Sequence, residues 1–349
     1  MGVVKRFRLC TFLSIVLASV SLGNLGWIQI RPGITHASTA EESWKWRNLT
    51  PEQGPAPEAR ATGSAVVDPI GRRVIIFGGL GASGFLNDAW AFDLNTRIWK
   101  RLETRGTPPS ARRGHIAEYD PVAHQMVIWS GQGRGFFDDT WVLNLDTLEW
   151  HNVSPPARPR ARYGSASVFD PLTRGLVIFA GFTSESRRFN DSQRFGLDAS
   201  TWTDLTPGGQ KPGIRCLHTA AFDSANRRMI IFGGQRSGPL DDLWSFDLNT
   251  RSWTELTPAQ RPPGRYFANS FVDRDGRFVV FGGQTSNGPV NEVWSFRFDD
   301  RQWSRIVTPV APPERSGAMS AFISAENRLI LFGGSGNRLY NDVWELRLE

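Results

Sequence analysis

Short apolar runs of four to six residues, rich in Val, Ile and Phe, recur along the chain and are cut by clusters of Gly, Pro, Asn and Asp. "RMIIFGG" from Arg228 ends in Gly233-Gly234. The same run stands as "RVIIFGG" from Arg73, "QMVIWSG" from Gln125, "GLVIFAG" from Gly175, "RFVVFGG" from Arg277 and "RLILFGG" from Arg328. The second glycine falls at Gly79, Gly131, Gly181, Gly234, Gly283 and Gly334, in steps of 52, 50, 53, 49 and 51 residues. A period near fifty built from short runs is the mark of a repeat architecture. In the fourth copy the pattern predicts four strands: "CLHTAAFD", "RMIIF", "DLWSFDL" and "SWTELT", with a turn at Ser224-Ala225-Asn226 and a glycine loop between the second and third.

Six four-stranded copies in phase predict a closed propeller. The last copy stops after its third strand, at Glu349. "WKWRNLTP" from Trp44 instead matches "WTELTP" from Trp253 and "WTDLTP" from Trp202. The strand around Trp46 is therefore expected to complete the blade begun by residues 315–349, removing a free sheet edge. Apolar run, Gly-Gly and two aromatics at fixed spacing (Trp244 and Trp253) resemble the kelch repeat over residues 44–349. The fold expected is all-β, a six-bladed kelch-type β-propeller whose last blade is closed by the N-terminal strand. Glycines at the end of strand two then read as structural, placed where a side chain would strike the neighbouring blade.

Composition agrees with turns rather than helices: 35 Gly and 22 Pro accompany 14 Trp and 23 Phe. Residues 1–37 differ, with Lys5, Arg6 and Arg8 before an apolar run from Leu9 to Leu22 and small residues near Ala37-Ser38. That layout is a signal peptide, or an N-terminal membrane anchor if uncleaved, and implies a secreted or periplasmic chain. Removing it lowers the net charge from +6 to +2, so the high pI gives no reason to expect a nucleic-acid partner. It also leaves Cys216 as the sole thiol, with no intramolecular disulfide.

Searches for chemistry are mostly negative. No paired-Cys zinc spacing, HExxH, GxSxG or P-loop occurs. Gly131-Gln132-Gly133-Arg134-Gly135 imitates a dinucleotide fingerprint but sits in repeat phase with no helix after it, so no cofactor is expected. His115 and His218 share one repeat position, three residues after Arg112 and Arg215. Galactose oxidase, a kelch-type enzyme, needs two Tyr, two His and a Cys, including an adjacent Tyr-His pair that this chain lacks.

Two charges recur in every copy: Arg60, Arg112, Arg162, Arg215, Arg265 and Arg315, and Asp88, Asp139, Asp191, Asp242, Glu292 and Asp342. Topology puts both on one face, where bidentate pairing would fix the loops. Resemblance to eukaryotic kelch adaptors implies instead that some of these arginines, Arg112, Arg162 and Arg215 in particular, stay partly free to hold an acidic ligand. Copies two and three depart most from the consensus, in "QGRGFFDD" from Gln132 and "FTSESRRFND" from Phe182. Arg134, Phe136, Arg187, Arg188 and Phe189 in these loops form a candidate aromatic and cationic rim. The functional expectation is an exported binding module for a glycan or an acidic peptide or protein; the alternative is an exported sugar-modifying enzyme, an epimerase or oxidase.

Overall fold

A computed structural model describes residues 43–184 and 187–348. The expected leader at 1–37 lies outside them. Five four-stranded antiparallel sheets and one of five strands, in which the short Arg60–Ala61 also pairs with the second strand of blade 1, stand in a ring, each ordered from an inner strand outwards. The inner strands are Ser64–Asp68, Ile116–Asp120, Ala166–Asp170, Thr219–Asp223, Asn269–Val272 and Met319–Ile323, and each packs on the next around the ring. Blade 6 takes Trp44–Asn48 as its outer strand, paired antiparallel with Val343–Leu348 from Trp44 opposite Leu348 to Asn48 opposite Trp344. The closure expected from the repeat wording is thus present, and no α-helix occurs among the described residues.

Blades are joined by one contact used six times. The outer-strand tryptophan of each blade lies on the second-strand aromatic of the preceding one: Trp150 on Phe77, Trp202 on Trp129, Trp253 on Phe179, Trp303 on Phe232, Trp46 on Phe281 and Trp99 on Phe332, with centroids 4.6–5.1 Å apart. Tilted ring pairs at this spacing add to the area they bury. The apolar clusters accordingly run between blades rather than inside them, as where Val177 and Phe179 of blade 3 pack with Met229, Ile231 and Trp253 of blade 4.

The glycine pair is not the plain loop expected. In blade 4 the second strand continues to Gln235 and the third begins at Pro239, so Gly233-Gly234 lies inside a long hairpin at a register shift. Gly234 has φ +103°, and a Cβ there would lie 2.8 Å from the Cys216 carbonyl oxygen. On Gly233 it would lie 2.5 Å from the Arg265 carbonyl oxygen of blade 5, the neighbour-blade collision that the structural reading requires. The second glycine N–H of each blade donates to that same arginine carbonyl of the next, at 2.8–3.0 Å.

Candidate functional site

Each recurrent arginine sits in a cage its own repeat builds. Arg215 donates Nε–H to the Gly213 carbonyl, Nη1–H to the Gly233 carbonyl, and both Nη groups to Asp242 at 2.7 and 2.6 Å. Arg60, Arg112, Arg162 and Arg315 repeat the pattern with Asp88, Asp139, Asp191 and Asp342, and Arg265 does so with a single Nη2–H bond to Glu292 at 3.0 Å. A third-strand tryptophan donates to the same carboxylate at 2.7–3.0 Å in five blades. In blade 3 Gln193 replaces it, at 3.4 Å. Burial pushes Asp88 and Asp139 up, but the arginine bonds outweigh it and hold both below the usual carboxylate range.

All six guanidiniums are at most 2% exposed. Arg112, Arg162 and Arg215 are therefore framework, and the expectation that they stay partly free to face a ligand is corrected: their fork geometry is spent on loop carbonyls and carboxylates. Phe189 is corrected with them. Its ring lies 3.8 Å under the Arg162 guanidinium carbon, as Phe137 lies 4.2 Å under Arg112 and Tyr340 4.3 Å under Arg315. These aromatics fold back and seal the cages.

Other predicted residues remain on the surface. Arg134 and Arg187 are exposed; Arg188 is half-buried with its guanidinium carbon 5.2 Å from the Phe182 ring. Phe136, Tyr163 and Phe182 form a triangle with centroids 5.6–6.0 Å apart across blades 2 and 3. Arg113 stands 5.9 Å from Tyr163 and is held by Gln132 at 3.0 Å. The rim is thus a half-buried aromatic platform flanked by four arginines. Arg113, Tyr163 and Phe182 were not foreseen. The signal was available: Tyr163 follows the caged Arg162 and pairs in an antiparallel bridge with Phe182, which follows the second glycine.

At the axis, the residue two after each caged arginine closes a belt. Thr62, Gly114, Gly164, Leu217, Phe267 and Gly317 all have φ between +54° and +67°. Each donates its N–H to the carbonyl of the preceding member around the ring, at 2.6–2.9 Å, and Thr62 donates to Gly317 to complete it. Left-handed backbone at Thr62, Leu217 and Phe267 is costly for residues with a Cβ and persists because the ring over-determines it.

His115 and His218 line a cavity of about 120 Å³ at this belt, together with Ser165, Leu217 and Phe267. His115 Nε2 bonds Ser64 Oγ at 2.8 Å, and its Nδ1 has no partner among the described residues; His218 has none at either ring nitrogen. Burial and the nearby Arg112 push the His115 pKa down to about 3, and burial with Arg215 pushes His218 down as well. Both are neutral imidazoles at ordinary pH, and no group of three His, Cys, Asp or Glu able to hold a metal occurs among the described residues.

One further acid went unnoticed. Glu118 occupies an inner-strand position filled by Val66, Val168, Ala221, Phe271 and Ala321 in the other copies. It lies between blades 2 and 3, accepts a bond from Ser167 Oγ at 2.7 Å, and burial raises its pKa to about 7.

Comparison with known proteins places the chain. The KLHDC2/KLHL20/DRC7 Kelch-repeats domain matches residues 35–169, 121–224 and 172–349. Mouse Multiple epidermal growth factor-like domains protein 8 is 29% identical over 223 residues, covering 59% of this chain and 8% of that protein. Human Host cell factor 2 is 28% identical over 234 residues, 60% of this chain and 28% of its own length. Host cell factor homolog hcf-1 of Caenorhabditis elegans is 26% identical over 238 residues, 61% and 29%. The chain thus corresponds to less than a third of each of these relatives.

Proposed function

Because the chain belongs to the kelch-repeat family, we propose that it is a protein-binding propeller whose loop face between blades 2 and 3 receives an acidic segment of a partner. The observation that carries this reading is the platform of Phe136, Tyr163 and Phe182 flanked by Arg113, Arg134, Arg187 and Arg188. Three described carboxylates beside it are committed: Asp139 and Asp191 hold the caged arginines, and Asp138 pairs with Arg158 at 3.0 Å. Half-buried Arg113 and Arg188 lie against the rings of Tyr163 and Phe182, and exposed Arg134 and Arg187 beside them offer the pairing that acidic motifs use, with the rings supplying contact area. Export belongs to the same proposal and rests on Lys5, Arg6 and Arg8 preceding the run from Leu9 to Leu22.

The test is fluorescence anisotropy of the full chain with labelled dodecapeptides, one rich in Asp and Glu, one neutral and one basic, beside a sulfated and a neutral oligosaccharide. The acidic peptide is expected to bind, with affinity falling as salt rises and at least tenfold weaker binding in Arg134→Ala and in the Arg187→Ala/Arg188→Ala double variant. Equal binding of neutral and acidic peptides, or indifference to both variants, overturns the reading. Preference for the oligosaccharide transfers the face to glycan recognition.

A further inference from the structure

On the face of the turns that join strands one to two and three to four, away from the glycine hairpins, long side chains at the start of the second strand cover three of the gaps between blades. Arg73, at the start of the second strand of blade 1, reaches the Leu145 carbonyl of blade 2 at 3.1 Å. Arg228 of blade 4 lies 4.0 Å over Phe298 of blade 5, and Arg277 of blade 5 lies 5.8 Å from Trp44 in blade 6. Between blades 3 and 4 the equivalent residue is Gly175, and this bridge is missing. A groove of about 440 Å³ opens there, with Val177, Leu205 and Leu248 as its apolar wall. Leu248 holds the repeat position of Leu145 and Phe298, the residues covered elsewhere.

Gly175 does more than leave space. It pairs with Gly196 across the sheet, and Arg194 lies over the two glycines; a Cβ on Gly175 would come within 2.5 Å of Arg194 Nε. The other copies place Ala91, Val142, Ser245, Ser295 or Glu345 where Arg194 stands, and none has the glycine pair. Arg194 donates Nε–H to Thr173 Oγ1 at 3.0 Å and Nη2–H to the Thr173 carbonyl, which leaves Nη1 without an acceptor among the described residues. Arg227 enters from blade 4, bonded to Asp170 and Asn249. Arg251 completes the lining, exposed and with no side-chain partner among the described residues. Three guanidiniums thus face one carboxylate, Asp170. Asp247 acts on Arg227 from beside the groove, but one of its oxygens is turned into the loop, accepting from the Asn249 and Thr250 N–H groups.

We propose that this groove is a second binding site, for an organic phosphate or sulfate monoester, with Arg194 Nη1 and Arg251 taking the oxyanion and the Val177–Leu205–Leu248 wall taking the attached carbon skeleton. The volume suits a small organic ligand better than a bare ion, and a planar fork with spare donors matches a tetrahedral oxyanion. The site stands independently of the aromatic platform and does not depend on that reading.

The test is isothermal titration of the full chain at low ionic strength with phenyl phosphate, phenyl sulfate and inorganic phosphate. A phenyl ester is expected to bind more tightly than inorganic phosphate. Arg251→Ala, on an exposed turn and making the same backbone demand, should weaken it at least tenfold. Gly175→Arg combined with Arg194→Ala should supply the covering arm seen in blades 1, 4 and 5 and abolish binding. Arg187→Ala/Arg188→Ala should leave it unchanged. The two esters are told apart by pH: phosphate affinity rises from pH 5.5 to 7.5 as the second proton leaves, whereas sulfate affinity stays flat. No saturable binding of either ester, or binding untouched by Arg251→Ala and by the double variant, overturns the proposal.

Discussion

Glu118 gives the sharpest test of how the inner wall is built. Its carboxyl is forced between blades 2 and 3 with one bond from Ser167 as compensation, and its pKa rises from 4.5 to about 7. The folded chain therefore holds a proton that the unfolded chain releases between those values, so stability falls as pH rises through this window. A shift of this size corresponds to roughly 3 kcal/mol lost by pH 8, from about 1.4 kcal/mol per unit. Glu118→Gln keeps the shape and the acceptor for Ser167 while removing the ionisation. It should match the parent near pH 4.5 and exceed it by about 3 kcal/mol at pH 8. With an unfolding entropy of about 2 cal/mol/K per residue over about 300 residues, the gain is about 5 °C in Tm. Urea unfolding at pH 5, 6, 7 and 8 measures it as the difference between variant and parent, which cancels the titration of every other group. A difference that does not grow with pH would refute the argument that burial governs this carboxyl.

Other sites make independent claims. Arg215→Ala leaves Asp242 and the Gly233 carbonyl without their guanidinium donor and should cost about 3–5 kcal/mol in urea unfolding; Arg215→Lys should fail to restore it, because an ammonium lacks the planar fork that reaches two carbonyls and both carboxylate oxygens. Trp46→Ala removes the contact with Phe281 at 4.7 Å and should cost about 3–5 kcal/mol, with the loosening reported by hydrogen exchange in both Trp44–Asn48 and Val343–Leu348. Gly234→Ala should destabilise more than an ordinary Gly→Ala change, since φ +103° and the Cys216 carbonyl both exclude the methyl; a Tm equal to the parent's would contradict the bulge geometry. His124 bridges Asp68 of blade 1 and Asp146 of blade 2; burial opposes its charge, but the two carboxylates prevail and raise its pKa. Its contribution is full below the ordinary histidine pKa and is lost as pH rises through the raised value, so the stability difference between parent and His124→Asn should shrink towards alkaline pH.

The blades were legible because each is written six times: a run ending in two glycines, then two aromatics, fixes strand order without any long-range knowledge, and "WKWRNLTP" shows which blade is closed by the N-terminal strand. The caged arginines were visible as a recurring charge. Their burial was not, because it depends on Gly213 and Gly233 carbonyls that pattern alone does not aim. Glu118 and Arg194 were missed for the opposite reason. Each stands at a position where its five counterparts differ, and reading for agreement hides the odd residue. The aromatic rim was half read: Phe136 stays half-exposed, while Phe189, one repeat later at the position of Phe137, turns under Arg162 because a caged guanidinium offers it a flat partner.

Closing blade 6 with Trp44–Asn48 sets a timetable for the molecule. Trp44–Asn48 has its partner about 300 residues downstream, at Val343–Leu348. At about 5–20 residues per second it waits roughly 15–60 s for that partner to be made. Until then Trp46 has no companion strand, and the ring of tryptophan contacts is broken at the same joint. Early blades can form their local hairpins, but the last seam is knit only after Val343–Leu348 exists, so a nascent propeller presents an open, apolar edge for most of its birth.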